Sequence, residues 1–161
     1  MAEQQVQTSD PADAIASGLV RLMLSMEALY TRQSRKAGLT AQQARLLCSA
    51  ARRRAGLGEI AGALHCDRSN VSRLLDRVTR RGLAYRVPDT RDGRVSVLQL
   101  SPDGQALVAS FEADLAARLG RLAADWPAKK RQAAAGTLAA LINAITRDLA
   151  EEDQAAEPAT T

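Results

Sequence analysis

The sequence predicts a mainly α-helical protein that carries one small β-hairpin and is long enough for one ordinary domain. Apolar residues make up 46% of its 161 residues and charged residues 25%, which is close to the average of folded globular proteins. Aromatic residues account for only 2%, so the core has to be built mainly from alanine and leucine, which favour helix over sheet. Most of the chain repeats its apolar residues at helical spacing, whereas one short central region alternates them as a strand does.

The first predicted helix begins near Asp10, because Pro11 is accepted in the first turn of a helix. Steps of four and three residues place five apolar side chains on one face: Ile15, Leu19, Leu22, Met26 and Leu29. Gly38 is the expected C-cap, and residues 1–9, which lack such a pattern, are predicted to be a flexible N-terminus. Because the helix is long, we expect it either to lie in the core or to pack also on a second subunit.

Two shorter helices are predicted next. Thr40 and Gln43 have the spacing of a capping box, in which side chains and backbone at a helix start bond each other. That helix is expected to extend to Arg54 and to end at Gly56. A short helix then follows, with three apolar side chains facing inward: Ile60, Ala61 and Leu64.

A fourth predicted helix has two different faces. Asp67 is a favourable N-cap residue, and Gly82 stands where a helix commonly ends. The spacing i, i+3, i+4, i+7 gathers its aliphatic residues on one side: Val71, Leu74, Leu75 and Val78. The other side and its flanks carry polar groups and arginines: Ser69, Asn70, Ser72, Arg73, Asp76, Arg77 and Arg80. We therefore expect a helix that buries one side and presents the other for contact.

The apolar period changes after Gly82 from helical spacing to the alternation of a strand. Two β-rich segments carry this pattern: Leu83, Tyr85 and Val87 in the first, and Val95, Val97, Leu98 and Leu100 in the second. Between them, residues 88–94 combine proline, aspartates and a glycine, which is typical of a turn. The sequence thus predicts a β-hairpin with an arginine-bearing tip.

Two more helices and a tail complete the chain. Pro102 marks the start of a helix that is predicted to run towards Trp126, where Pro127 interrupts it. The last helix carries apolar residues at helical spacing: Leu138, Leu141, Ile142, Ile145 and Leu149. Residues 151–161 are acidic and rich in alanine, proline and threonine, so they are predicted to be a disordered tail.

Positive charge is concentrated in the middle of the chain. Residues 42–94 contain twelve arginines, no lysine and five acidic residues, so this part carries +7 and the rest −3, which together give the net charge of +4. Arginine suits bidentate contacts to phosphate or guanine. This asymmetry indicates a centre that binds a polyanion, although an Arg-rich soluble surface or genome composition would produce the same count. Arg52, Arg53 and Arg54 are expected either to contact phosphate or to form a solvated helix end.

A short helix, a tight turn, a capped second helix and a β-hairpin together form a winged helix-turn-helix, which we predict over residues 39–100. The major groove of DNA accepts one α-helix whose leading polar side chains reach the base edges. The candidate major-groove residues are Arg68, Ser69, Asn70, Ser72, Arg73 and Arg77. At the start of this helix, free N–H groups and the helix dipole are also expected to favour phosphate.

The hairpin supplies a second group of candidate DNA-binding residues. Arg94 is placed to enter the adjacent minor groove, where a narrow A·T-rich wall strengthens its attraction. Arg91 is a second candidate for this contact. Asp92 is expected to support the wing by a salt bridge to these arginines rather than to touch anionic DNA.

Residues 39–104 resemble the MarR (multiple antibiotic resistance regulator) family, and the order of elements extends the resemblance to about 10–150. The strongest match is Asp89-Thr90-Arg91-Asp92-Gly93-Arg94, which is similar to the D-x-R-D-x-R signature of the family's wing. The helical segment at 71–77 and the strand-to-helix junction at 100–104 agree with it. Asp67 departs from the family, which often has Ser or Thr there; it still caps the helix, but its charge is expected to weaken or tune DNA contact.

The resemblance implies a homodimer in which the helices at 10–38 and 101–150 form a dimerisation lobe and two winged modules read a pseudo-palindromic operator in double-stranded DNA. It also implies a regulator, usually a repressor, that leaves DNA when a small, often aromatic or phenolic, effector binds between the lobes. The end segments independently favour a dimer, because they carry excess apolar stripes and little positive charge. Tyr30 and Trp126 are expected either to line an effector pocket or to pack in the core or interface.

The remaining candidates argue against an enzyme. One histidine, His65, and two cysteines provide neither a four-ligand zinc site nor a nucleophile–base pair, so no metal or cofactor is expected. Cys48 and Cys66 do not make a disulfide framework, and the reducing cytoplasm is the expected compartment. The polar start and the lack of an 18-residue apolar run predict neither a secretory signal nor a membrane span. The alternative function is a redox-responsive regulator that senses oxidants through Cys48 or Cys66. The competing interpretation is that each of these thiols is buried and has only a structural role.

Overall fold

The computed structural model describes residues 10–52, 56–64, 67–88 and 96–156. These residues form six helices and two strands: α1 Pro11–Lys36, α2 Ala41–Arg52, α3 Leu57–Ala63, α4 Arg68–Arg80, β1 Ala84–Pro88, β2 Ser96–Leu100, α5 Pro102–Arg121 and α6 Ala128–Ala156. The predicted mainly helical protein with one hairpin is therefore confirmed. The chain divides into two compact units, Met1–Ala116 and Ala117–Thr161. None of the helices in the described ranges combines the length and apolar character needed to span a membrane.

Four of the helix ends that were predicted from local residues are confirmed: the start and end of α1, the start of α2 and the end of α4. The Asp10 carboxylate accepts a hydrogen bond from the Ala12 N–H at 2.9 Å. At the start of α2 the Thr40 N–H donates to Gln43 Oε1 at 2.9 Å, and the Gln43 N–H donates to Thr40 Oγ1 at 3.2 Å, which is the reciprocal bonding of a capping box. Gly38 follows α1 and Gly82 follows α4 with φ of +67° and +70°, a left-handed conformation that costs glycine little.

The core of the first unit lies where α2, α3, α4 and the hairpin meet. Its fully buried aliphatic side chains come from all of these elements: Leu46 and Leu47 of α2, Ile60 of α3, Val71, Leu75 and Val78 of α4, and Val97 of β2. Val108 and Phe111 bring α5 to the same core. Burial of each large aliphatic side chain contributes about 1.5–3 kcal/mol, so this cluster is what holds α4 in place.

The hairpin joins the core through an antiparallel pair of strands. β1 and β2 pair from Ala84 opposite Leu100 to Pro88 opposite Ser96. Gly56 adds an isolated antiparallel bridge to Val97, a contact that the sequence did not predict. The base of the hairpin is thus connected both to α4 and to the segment that leads into α3.

Gly104 allows α5 to start directly against the turn that follows α4. A Cβ atom on this residue would lie 1.9 Å from the carbonyl oxygen of Leu83, so no larger residue fits without a backbone shift. The Ser101 hydroxyl donates to the Gly82 carbonyl at 2.7 Å and accepts from the Gly104 N–H at 3.0 Å. These bonds close the winged region at its junction with α5.

The second unit contains the last residues of α5 and the whole of α6. Two predicted boundaries in this unit, the end of α5 and the start of the tail, are wrong. α5 ends at Arg121 rather than near Trp126, and a turn precedes Pro127. α6 continues through Ala156, so residues 151–156 are helical and not part of a disordered tail; alanine and glutamate favour helix strongly enough to extend it. Residues 157–161 and the predicted flexible segment 1–9 lie outside the described residues.

Candidate functional site

α4 separates a buried aliphatic side from an exposed polar side. Its aliphatic residues at 71, 74, 75 and 78 are buried, whereas Ser69, Arg73 and Arg77 are exposed and Asn70 and Ser72 are half-buried. The side chain of Arg68, which was predicted to reach DNA, lies outside the described part of the structure. Of the predicted major-groove residues, the described ones therefore share one accessible side of a single helix.

Asp67 organises the first turn of α4. Its Oδ1 atom accepts a hydrogen bond from the Asn70 N–H at 2.7 Å and another from the Ser69 hydroxyl at 2.6 Å. These bonds, the Ser69 bond first, hold the pKa of the Asp67 carboxyl below its usual range, and the positive charge of Arg73 acts in the same direction. The Asn70 N–H, one of the N–H groups at the start of α4, is consequently already occupied by Asp67.

A strand residue that sequence reasoning missed lies against the polar side of α4. Arg86 of β1 places its Nη2 atom 3.2 Å from Asp76 Oδ1 and 3.5 Å from Ser72 Oγ. The Asp76 carboxylate is thus paired with β1, whereas its backbone carbonyl accepts a hydrogen bond from Arg80 Nε at 3.2 Å. In the described ranges neither Arg73 nor Arg77 takes part in an ion pair, and both side chains are exposed.

No sequence signal singled out Arg86. It is one of twelve arginines in residues 42–94, and only the return of β1 along α4 brings it to Asp76. Arg81 makes a similar long-range contact at the other end of α4, where its Nη1 atom donates to the Gly38 carbonyl at 2.7 Å. These two contacts link the surface of α4 to β1 and to the α1–α2 connection.

The tip of the wing lies outside the described residues. Arg91, Asp92 and Arg94 all belong to the segment 89–95, so their predicted roles stay predictions. The two strands on either side of this segment are described, and Arg86 of β1 pairs with Asp76 of α4.

A cavity of about 530 Å³ lies beside α2 in the first unit. Tyr30 of α1 and Phe111 of α5 meet edge to face in its wall, with ring centroids 5.3 Å apart. The other lining residues are Arg45, Cys48, Ser49, Arg52, Leu64, Glu112 and Leu115. Of the two aromatic residues that were expected to line a pocket or to pack, Tyr30 lines this cavity, whereas the Trp126 ring lies under Lys130, whose Nζ atom is 4.4 Å from the ring centroid.

Both arginines of the cavity are paired with carboxylates from other helices. Arg45 of α2 forms an ion pair with Glu27 of α1 and stands 5.4 Å from the centre of the Tyr30 ring. Arg52 bonds Glu112 of α5 at 3.1 Å. Arg52 had been assigned either to phosphate contact or to a solvated helix end, and this partner on α5 was not foreseen. Two ion pairs therefore link α2 to the helices on either side of the cavity.

Cys48 is a poor candidate for an oxidant sensor. The thiol is buried in the cavity wall, and burial raises its pKa, as does the nearby carboxylate of Glu112. Burial likewise raises the pKa of the neighbouring Tyr30 hydroxyl. Because the thiolate is the reactive form of cysteine, a raised pKa disfavours oxidation of Cys48. Cys66, the other predicted redox residue, and His65 lie outside the described residues.

The model of the MarR family matches residues 39–96. The crystal structure of a MarR family transcription regulator is 25% identical to this chain with a TM-score of 0.69, covering 88% of this chain and 95% of that one. A mutant of MepR from S. aureus bound to an oligodeoxyribonucleotide is 22% identical, with a TM-score of 0.58 and coverage of 81% and 97%. CouR from Rhodococcus jostii RHA1 bound to p-coumaroyl-CoA is 21% identical, with a TM-score of 0.65 and coverage of 83% and 95%. A search of curated proteins finds no match.

Proposed function

We propose that the protein, whose residues 39–96 match the model of the MarR family, regulates transcription by sequence-specific binding to double-stranded DNA and has no enzymatic activity. The observation that carries the proposal is the division of α4 into a buried aliphatic side and an accessible side with Ser69, Arg73 and Arg77. A helix of this kind fits the major groove, where its leading polar residues meet base edges. The DNA bound to MepR supports the same mode of action.

The DNA-binding residues divide into two groups. Arg73 and Arg77, with Ser69, Asn70 and Ser72 and the neighbouring Arg68, contact the major groove, since the described members share one side of α4. The wing adds Arg91 and Arg94 in the minor groove, with Asp92 as their support, as the family resemblance implies. The link between Arg86 and Asp76 gives the wing a fixed base from which these arginines reach DNA.

Apolar residues that are exposed in the single chain support a homodimer. On α1 they are Ile15, Val20, Leu22, Met23 and Leu24, and on α6 they are Leu138, Ile142, Ile145 and Leu149. Such stripes are unfavourable in water and are normally covered by another protein surface. A second copy that covers them places two winged domains on half-sites about one helical turn apart, which requires a pseudo-palindromic operator.

The cavity beside α2 is the proposed effector site of a repressor. Aromatic and aliphatic side chains line it together with two arginines, which suits a small aromatic or phenolic ligand, and the ligand bound to CouR supports small-molecule recognition in this fold. An acidic group on the ligand competes with Glu27 and Glu112 for Arg45 and Arg52. Loss of these ion pairs loosens α2 from α1 and α5, so ligand binding and DNA binding oppose each other.

Fluorescence anisotropy with labelled duplexes from the upstream intergenic DNA tests the DNA-binding function. We expect Arg73→Ala to weaken binding to the preferred duplex by about 1–3 kcal/mol and to reduce base discrimination. Arg147→Ala removes the same charge from α6 and serves as the matched control, with little expected effect on discrimination. Equal binding of the wild-type protein to every duplex, operator or scrambled, would reject sequence-specific regulation.

A titration of the preformed DNA complex with small aromatic acids and phenols tests effector release. The expected result is dissociation of the wild-type complex, and a weaker response from Arg52→Gln, which removes the charge but retains a polar, though shorter, side chain. The redox alternative is tested with peroxide on the double variant Cys48→Ser, Cys66→Ser. Release of DNA by peroxide in that variant removes the cysteines as sensors, and the raised pKa of the buried Cys48 argues against this thiol as the sensor.

A further inference from the structure

The hydroxyl group of Ser69 has a fixed hydrogen-bonding direction. It lies 2.6 Å from Asp67 Oδ1, and both residues are exposed on the side of α4 that faces outward. A carboxylate carries no proton, so the hydroxyl must supply the proton of this bond. Since Asp67 is ionised at neutral pH, the single proton of the Ser69 hydroxyl is committed to Asp67.

A serine hydroxyl has one donor and two acceptor lone pairs. With its proton directed to Asp67, the hydroxyl of Ser69 presents only lone pairs to any other partner. We propose that Asp67 is a specificity-determining residue, which holds the Ser69 hydroxyl as an acceptor and makes it select bases that present an amino group. This inference rests on the proposed binding of α4 in the major groove.

The groups that the bases present in the major groove determine which bases an acceptor-only Ser69 hydroxyl prefers. Cytosine presents its N4 amino group and adenine its N6 amino group, whereas guanine presents acceptors only and thymine an acceptor and a methyl group. An acceptor-only hydroxyl therefore gains a hydrogen bond from cytosine or adenine and faces an acceptor on guanine or thymine. A serine without the Asp67 bond rotates to suit either kind of partner.

The negative charge of Asp67 also favours sequence-specific over general binding to DNA. Phosphate contacts contribute to the binding of every DNA sequence alike, and a carboxylate at the leading end of α4 reduces that contribution. Its bond with the Asn70 N–H at 2.7 Å also removes one backbone donor from phosphate contact. Asp67 thus lowers general affinity while it sharpens the reading of one base.

Selection of bound sequences from a library of random duplexes, by the full-length protein and its variants, tests the proposal. We expect the wild type to prefer cytosine or adenine at one position of each half-site, by about fivefold or more over guanine or thymine. Asp67→Ser keeps an N-cap residue, so α4 stays folded, as circular dichroism verifies. It should lose most of that preference, bind all duplexes more tightly and show a steeper dependence on salt.

Ser69→Ala is the matched control, because it retains the carboxylate but removes the hydroxyl. It should lose the preference at the same position while the salt dependence stays close to that of the wild type, and Asp67→Ser should then add no further loss of preference there. The proposal is overturned if Asp67→Ser selects the same base as the wild type, if that base is guanine or thymine, or if Ser69→Ala changes no position. A wild-type protein that selects no sequence at all instead shows that the proposed function itself is wrong.

Discussion

α4 and α6 carry apolar stripes of the same kind, yet the stripe of α4 is buried and the stripe of α6 is exposed. Leu75 of α4 is 1% exposed and packs in the core of the first unit, whereas Ile142 of α6 is 61% exposed. Both residues belong to rows of aliphatic side chains three or four positions apart along a helix. An apolar stripe in the sequence therefore predicts that one face of a helix is buried, but it does not predict which surface buries it.

This difference in exposure indicates that the two apolar stripes are covered by different surfaces. The cover of α4 comes from α2, α3 and the hairpin of the same chain, so α4 is fixed as soon as the domain folds. The stripe of α6 is exposed in the single chain, and its proposed cover is a second copy. Folding of the first region should consequently not depend on protein concentration, whereas burial of the second should.

Leu75→Ala is expected to produce the largest effect, because it opens a cavity among residues that are already fully buried. We expect a loss of about 2–5 kcal/mol in the free energy of unfolding, measured by urea denaturation. Leu149→Ala, on the exposed stripe of α6, is the matched control and should cost much less when the protein is dilute. Equal losses for the two variants at low protein concentration would remove the distinction between the two stripes.

Ile142→Glu should weaken the proposed dimer without unfolding the chain. A carboxylate in a buried apolar interface lacks a partner, so we expect the dissociation constant of the dimer to rise about a hundredfold, or about 2.7 kcal/mol. Analytical ultracentrifugation measures this change, and circular dichroism should show that the helices persist. Ala140→Glu, on the opposite side of α6, is the control, and a dimer that tolerates Ile142→Glu as well would place the interface elsewhere.

Two glycines of α5 sharpen the comparison between closely packed and open parts of the molecule. Gly104→Ala places a Cβ atom against the Leu83 carbonyl, and we expect a loss of about 1–3 kcal/mol in the free energy of unfolding. Gly120→Ala meets no atom within 4 Å and should stabilise the helix by about 0.5–1 kcal/mol, because alanine favours helix. Thermal unfolding of the two variants measures both effects, and changes of the same sign would contradict the described packing.

The smallest expected effect concerns the polar side of α4 and its dependence on pH. The lowered pKa of Asp67 means that the folded state favours the ionised carboxyl, so its contribution to stability is present above the ordinary pKa of aspartate, about 3.9, and is lost as the pH falls through the lowered value. The difference in melting temperature between the wild type and Asp67→Ala should therefore be greatest near neutral pH and shrink in acid. A difference that grows in acid would show that Asp67 does not cap α4 as a carboxylate.

Features of the candidate site that depend on neighbouring residues were predicted from the sequence. The capping box of Thr40 and Gln43, the N-cap Asp67 and the two faces of α4 were all identified in this way, because their spacing sets their geometry within one or two helical turns. The pairs Asp76–Arg86 and Arg52–Glu112 were not, and neither was the bridge from Gly56 to Val97. Each of these joins elements whose approach depends on how the whole core packs.

The amino-acid sequence by itself determined which segments are helices and strands, where most of them begin and end, and which side of each helix is apolar, since these follow from hydrogen bonds and steric preferences between near neighbours. The tertiary structure decided which apolar sides are covered within the chain and which carboxylate meets which arginine. Those outcomes depend on burial and on charge contacts between distant segments, whose energies exist only once the backbone has brought them together.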